Sequence, residues 1–176
     1  MITLKVHNLN WITEDEAIDL CAHGSVEFSI GDLNIVSPDD GNWCVSAAAL
    51  YLLRTLSESH TSESPVSEHI FPCCGHSMYW DENSEDCIVF GCPNGINFDV
   101  IHEAEHILIK TKNEQEATIP FPIWTASVCA FSDQISDFYE RSLLKKPFDE
   151  ENRKGFEAFQ KEWTRRRSQA KHNNGN

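Results

Sequence analysis

One segment of the chain is apolar on almost every side, and it constrains the fold more than any other feature. Over residues 43–57 the only charged side chain is Arg54, and most of the others are Val, Ala, Leu or Tyr. A helix that is apolar all round has to be enclosed by other elements instead of lying on the surface. We therefore predict a helix over about residues 43–57 at the centre of the hydrophobic core.

Short runs with the two-residue period of a strand surround this segment. Residues 2–6 and 26–30 alternate between apolar and polar side chains, which is typical of half-buried strands. Further short strands are predicted at residues 33–36, 69–71, 77–80, 87–90, 96–101, 106–111 and 117–119. Short turn-forming segments separate these runs, so we expect antiparallel neighbours in a strongly twisted meander.

Two helices are predicted at the C-terminal end. An apolar stripe with spacings of three and four follows Pro122 and ends near Leu144, and a second helix opens at Asp149. Gly155 should weaken that last helix by about 1 kcal/mol relative to Ala, so the helix is expected to depend on docking. We therefore predict an α+β fold: a β meander packed on a buried central helix, with two C-terminal helices. A single domain is expected over residues 1–167, followed by a disordered polar tail over residues 168–176.

The charge of the chain is divided unevenly along its length. Up to Glu140 there are 23 Asp and Glu against four Lys and Arg, whereas the remaining residues contain ten basic and five acidic side chains. Such a field repels nucleic acid and attracts basic partners. The sequence therefore predicts that nucleic acid is an unlikely partner, and that the basic C-terminal segment either docks on the acidic part or stays in solvent.

The cellular environment is constrained by what the sequence lacks. It has no N-terminal apolar run of the signal-peptide type and no stretch of 18 apolar residues, which predicts a cytoplasmic protein without a membrane span. The seven cysteines are an odd number for a disulfide framework. They are better explained as reduced thiols or metal ligands.

The densest group of Cys and His residues suggests a metal site. Soft thiolate and imidazole donors brought together by tight turns are what a tetrahedral zinc ion requires. The possible ligands are Cys73, Cys74, His76, Cys87 and Cys92. Against this, neither half forms a Cys-x-x-Cys knuckle, adjacent cysteines do not easily bind one ion together, and strand alternation can turn Cys87 away. The alternatives are a zinc site, which Cys21 and His23 could complete, and a set of small residues buried at strand ends.

A second constellation suggests thiol chemistry. Cys44 stands at the start of the buried helix, and a helix N-terminus lowers a thiol pKa, as in papain-like nucleophiles. His102 or His106 would then be the base, with Asn97 or Asp99 orienting the imidazole. The alternative is that Cys44 is a core residue.

Several segments resemble a group of small bacterial proteins. They include Pro72-Cys-Cys-Gly-His76 and Gly91-Cys-Pro-Asn-Gly95, together with residues 21–24, 46–56, 138–139 and 162–167. This resemblance implies a shared fold and no particular activity. In size, acidity and mixed architecture alone, the chain is also similar to immunity proteins that neutralise toxin domains.

Two classes of function follow from these features. The leading hypothesis is a non-enzymatic acidic binding protein, such as an immunity-type inhibitor of a basic nuclease toxin. The alternative is an enzyme built on Cys44 or a small zinc-binding domain. The sequence makes no prediction about the oligomeric state.

Overall fold

The computed structural model describes residues 1–74 and 77–173. The helices are α1 (Val45–Arg54), α2 (Phe121–Arg141) and α3 (Glu150–Asn173). The strands are β1 (Ile2–Asn10), β2 (His23–Ile30), β3 (Leu33–Val36), β4 (Trp43–Cys44), β5 (Phe71–Pro72), β6 (Ser77–Tyr79), β7 (Ile88–Phe90), β8 (Gly95–Ile96), β9 (Phe98–Glu103), β10 (His106–Thr111) and β11 (Glu116–Pro120). None of the helices within this part of the chain is long and apolar enough to cross a bilayer.

Helix α1 lies at the centre of the core, as predicted. Every residue from Val45 to Leu53 is buried, and the helix contacts α2, α3, β2, β4 and β5. The helix is shorter than predicted because Trp43 and Cys44 pair with β2 as strand β4. At the other end, Thr55 closes the last turn by donating its backbone N–H to Tyr51 O (3.1 Å).

The strands are antiparallel and divide among four sheets. One contains β1, β2 and β3 with β4 beside β2, a second has the order β11-β10-β9, and the pairs β5–β8 and β6–β7 form two small sheets. With the buried helix and the two C-terminal helices, this arrangement confirms the predicted α+β class.

The two small sheets belong to one β-hairpin, which we call the arm (β5 through β8). Phe71 pairs with Ile96 and Ser77 pairs with Phe90, so the two paired positions are six positions apart along each strand. Equal spacing on both sides means that the two sheets have the same register. Between them, Cys73 N donates to Asn94 O (2.9 Å), which continues that register by one more position. The arm is therefore one long hairpin that is interrupted near its middle.

Helix α3 packs closely against the outer half of the arm. At Gly155 an added Cβ atom would lie 1.8 Å from the carbonyl oxygen of Met78 in β6. Only glycine permits this approach, because any side chain would overlap the strand backbone. The prediction that this helix depends on docking therefore has a specific contact behind it.

The basic residues near the end of α3 form ion pairs with the acidic part of the chain. Arg166 pairs with Asp86 (2.9 Å) and Glu58 (3.3 Å), and Arg167 pairs with Asp133 (2.6 Å). Of the two alternatives expected for this segment, docking on the acidic part and remaining in solvent, these arginines follow the first.

The ends of the C-terminal helices differ from the prediction. Helix α2 ends at Arg141 because Ser142 is extended (φ −85°, ψ 168°). Helix α3 continues to Asn173, so most of the predicted disordered tail is helical. Ala170 shows the reason, since it is buried and gives the end of the helix an apolar contact with the rest of the fold. Residues 174–176 lie outside the described part of the chain.

Candidate metal centre

Three thiols converge at the interruption of the arm. The Sγ atoms of Cys73, Cys74 and Cys92 all lie within 4.8 Å of one another. Thiolates around a tetrahedral zinc ion are separated by about 3.8 Å, given a Zn–S bond of about 2.3 Å. A small contraction would therefore let the three sulfurs bind one ion, although two of them are adjacent in sequence. The donor set fits a soft or borderline metal ion.

The thiols also contact the backbone where the two halves of the arm meet. The register of the arm places Pro93 opposite Cys74. The backbone N–H of Cys92 donates to the sulfur of Cys74 (3.1 Å). A thiol contact thus links the two strands of the arm at this point.

The protons of the three thiols are shared unequally. Burial and a hydrogen bond with Cys92 raise the pKa of Cys74 to about 11, and the hydrogen bond with Cys92 also raises the pKa of Cys73. The pKa of Cys92 is lowered, first by its hydrogen bond with Cys74 and then by one with the backbone at Asn94. Two thiols thus stabilise a thiolate on Cys92, which is partly exposed and accessible to reagents.

The other predicted metal ligands are placed differently. Cys87 is buried beneath the outer half of the arm, and its sulfur lies 3.7 Å from the carbonyl oxygen of Gly155 in α3. It therefore faces α3 and is not part of the group of three thiols, which corrects its assignment as a ligand. His76 lies outside the described residues.

Cys44 lies in a buried environment at the start of α1. It is fully buried, and its pKa is lowered by a hydrogen bond with the Cys21 thiol despite the opposing effect of burial. His23 is its ladder partner on β2, and the ring nitrogen Nδ1 of His23 lies 2.8 Å from Cys21 O. The pair that was predicted to complete the metal site therefore lies beside Cys44. A buried thiol is inert toward reagents that require access from solvent.

The histidines that were expected to act with Cys44 are elsewhere. The ring nitrogen Nε2 of His102 lies 2.8 Å from the carbonyl oxygen of Thr55, which follows the last turn of α1. Cys44 precedes the first turn, and the ten-residue helix between them is about 15 Å long. His106 is the exposed first residue of β10. The structure therefore does not bring Cys44 together with either histidine. Cys44 and the His102 contact lie at opposite ends of α1.

The expected orienting residue Asn97 contacts a different imidazole. Asn97 Oδ1 lies 2.8 Å from Nε2 of the buried His60, whose Nδ1 accepts the backbone N–H of Val66 (3.1 Å). Burial lowers the pKa of His60, although the Asn97 contact opposes this shift. A neutral His60 that donates from Nε2 satisfies both contacts, which identifies a structural histidine.

Thiol labelling distinguishes these environments. In metal-free protein at about pH 7, iodoacetamide is expected to modify Cys92 first, because a partly exposed thiolate reacts fastest. The substitution Cys92→Ser should remove the fast phase, whereas Cys129→Ser, at a buried position on α2, should leave it unchanged. Peptide mapping by mass spectrometry identifies the modified site. Fast modification of Cys44 would contradict this assignment.

The sequence indicated that these thiols can meet, but not the register of the arm, in which Phe71 pairs with Ile96 and Ser77 with Phe90. No family model, curated protein or solved structure matches this chain, and its function therefore has to follow from its own residues.

Proposed function

We propose that this chain is a non-enzymatic binding protein that captures a basic protein partner. The observation that carries the proposal is the internal pairing of its arginines. Arg54 and Arg166 share Glu162, and Arg165 and Arg167 pair with Asp86 and Asp133. These cations are neutralised within the fold, so the net charge of −14 is presented mainly by acidic side chains.

The carboxylates that remain exposed are distributed over many elements. They include Glu14, Asp15, Asp32, Asp39, Asp40, Glu63, Glu68, Glu82, Glu103 and Glu105. Such a surface accelerates encounters with a basic partner and suppresses binding to other acidic proteins. A basic toxin domain inhibited in the cytoplasm would be a partner of this chemical class.

Binding of simple peptides tests the charge requirement. We expect a fluorescent peptide of alternating lysine and serine to bind, and a glutamate–serine peptide of the same length and a short DNA duplex not to bind. Anisotropy measured from about 0.05 to 0.5 M salt should show the affinity falling, because salt screens exposed charges. Absence of lysine–serine binding at low salt, or binding that ignores salt, would refute the proposal.

We further propose that Cys73, Cys74 and Cys92 hold a structural zinc ion. The supporting observation is the convergence of their sulfurs within 4.8 Å at the interruption of the arm. His76 is available in the sequence for the fourth position of a closed tetrahedral site. The ion would connect the two halves of the arm where the strands of β5–β8 and β6–β7 meet. Its role would be mechanical: to hold the outer half of the arm in one position.

Elemental analysis tests the metal site. Protein purified without chelator is expected to carry about one zinc per chain, and Cys92→Ser should lower that content severalfold. Cys129→Ser is the matched control, because it removes a buried thiol of α2 that is not part of the group of three and should retain the metal. Zinc content unchanged by Cys92→Ser would exclude this site.

The affinity for zinc is also expected to fall as the pH is lowered. Metal binding displaces thiol protons, and the raised pKa values of Cys73 and Cys74 mean that both carry protons near neutral pH in the metal-free protein. Lower pH favours the protonated thiols and therefore competes with the metal. Competition titrations with a zinc-binding dye at several pH values measure this dependence.

A further inference from the structure

The outer half of the arm presents its apolar side chains to solvent. In the β6–β7 pair, Tyr79 stands opposite Ile88, and Ser77 stands opposite Phe90. Side chains of a strand alternate between its two faces, so these four residues share one face. We call Tyr79, Ile88 and Phe90 the hairpin face. Their exposed fractions are 37%, 42% and 61%, respectively.

The opposite face of the β6–β7 pair packs against α3. The side chain of Met78 is buried on the face opposite Ser77 and Tyr79, which is the face toward α3. The backbone of Met78 closely approaches Gly155 of that helix. A surface hairpin usually buries its apolar face and exposes polar side chains. Here both faces carry large apolar residues, and α3 covers only one of them.

The hairpin face forms a continuous patch. The rings of Tyr79 and Phe90 contact each other edge to face, with centroids 5.5 Å apart. Trp80, the next residue, lies by alternation on the opposite side, where Lys154 of α3 is near its ring (5.4 Å), and it is not part of the hairpin face. Contiguous aromatic side chains at a surface are typical of binding sites, and Trp and Tyr are enriched among the residues that contribute most to affinity.

Charge around the patch selects the class of partner. The loop that joins β6 to β7 contains the acidic residues Asp81, Glu82 and Glu85, in addition to Asp86, which is paired with Arg165 and Arg166. The whole chain carries a net charge of −14. Two copies of such a chain repel each other, and an anionic lipid surface would also be repelled. A basic protein segment gains from both the charge and the apolar surface.

We propose that the hairpin face is the docking surface for a basic partner segment that carries apolar anchor residues. This inference rests on the proposed function. It adds where the partner binds and the requirement that the partner carry apolar side chains as well as cations. The partner inserts its apolar side chains against Tyr79, Ile88 and Phe90, while its cations lie over the acidic loop.

The arm is held in place before the partner arrives. Its two strands meet at the three thiols near its middle, and the backbone N–H of Cys87 donates to the buried carboxylate of Glu162 in α3 (2.7 Å). The contact between Gly155 and Met78 fixes the middle of β6. A surface that is rigid in the free protein loses less conformational entropy on binding.

A lysine–leucine peptide of the same length as the lysine–serine peptide is the probe for this surface. The wild-type chain is expected to bind the lysine–leucine peptide at least about tenfold more tightly than the lysine–serine peptide. The double variant Tyr79→Ser/Phe90→Ser should lose that preference. The matched control is Leu144→Ser/Phe148→Ser, which removes two apolar side chains that are more exposed still, at 86% and 90%, in the linker before α3.

The outcomes separate this inference from the proposed function. If both lysine peptides bind with equal affinity, or if the control abolishes the preference, the hairpin face is not the docking surface, but the charge-based function stands. If neither lysine peptide binds, both fail. Sedimentation that showed a dimer dissociated by the Tyr79→Ser/Phe90→Ser substitutions would identify a second copy as the occupant and overturn the inference.

A second variant tests the acidic loop without altering the hairpin face. The substitutions Glu82→Lys and Glu85→Lys reverse two exposed charges beside the hairpin face. We expect them to weaken lysine–leucine binding at low salt and to have little effect at high salt, where the charges are screened. Equal binding by this variant and the wild type at low salt would count against the assigned surface. Unchanged thermal unfolding of each variant shows that the fold is retained.

Discussion

Replacing Glu162 with Ala is expected to lower the free energy of unfolding by about 3–5 kcal/mol, because it leaves the largely buried Arg54 without its ion-pair partner and removes one of the partners of Arg166. The Glu162 side chain is fully buried. Its carboxylate accepts hydrogen bonds from Arg54 Nε (2.8 Å), Arg166 Nε (2.7 Å) and the backbone N–H of Cys87 (2.7 Å). One side chain thus connects α1, α3 and the arm.

The charge of the arginines makes this contact important. Burial acts to lower the pKa of Arg54, but the hydrogen bonds and charge of Glu162 outweigh burial and raise it. Arg54 therefore stays charged and needs the carboxylate. Arg54 also donates to the carbonyl oxygens of Val66 (3.0 Å) and Cys87 (2.6 Å), so its displacement would disturb both neighbouring segments.

Urea unfolding of Glu162→Ala and of its control measures the effect. Glu157→Ala is the matched control on the same helix, because Glu157 pairs with Arg153 at an exposed site. Exposed pairs contribute about 0–1 kcal/mol, so the control should change stability little. Similar losses for the two variants would show that the buried network does not stabilise the fold as described. The substitution Glu162→Gln should fall between them, since it retains size and some hydrogen bonds.

The substitution Gly155→Ala is expected to destabilise the fold, even though alanine is the better helix former. Propensity alone would stabilise α3 by about 1 kcal/mol. The added Cβ would lie 1.8 Å from Met78 O and 2.5 Å from Met78 C, which are backbone atoms that cannot rotate away. Overpacking of this kind costs about 1–3 kcal/mol, and relief requires that the arm move off the helix.

This substitution therefore has two expected readouts. The unfolding midpoint should fall, and protease cleavage in the loop between β6 and β7 should become faster, because the outer half of the arm loses its contact with α3. Gln160→Ala, at an exposed position on the same helix, is the control and should change neither quantity much. An increase in stability for Gly155→Ala would mean that helix and arm do not approach as closely as described.

The central helix and the strand periods were predictable because they follow from local patterns. An uninterrupted apolar segment requires enclosure, and α1 is enclosed. Alternation over residues 2–6 and 26–30 likewise identified β1 and β2. The start of α1 was not predictable from the sequence. Trp43 and Cys44 pair with β2, which lies earlier in the chain, and local helix propensity gives no information about such a contact.

The candidate site was only partly predictable. Cys73, Cys74 and Cys92 were named from the sequence, and the structure brings them together. Cys87 was named as well, but strand alternation places it on the side of α3, where it is buried. Spacing along the chain indicates which thiols can meet, whereas the face of a short strand depends on register and packing.

Gly155 and Glu162 show what sequence reasoning leaves out. Gly155 was interpreted as a weakness of α3, yet the structure shows a close approach of strand and helix at that position. Glu162 was not distinguished from the other acids, because the sequence does not reveal that its carboxylate is fully buried beside two arginines. Both roles depend on contacts between elements far apart in the chain.

Amide hydrogen exchange with and without the lysine–leucine peptide tests the central claim most directly, since it locates the surface that a basic, apolar partner covers. The account predicts that added peptide slows exchange in β6, β7 and the acidic loop between them, and leaves the linker before α3 unchanged. Protection confined to another part of the chain, or no protection at a peptide concentration that saturates binding, would contradict it.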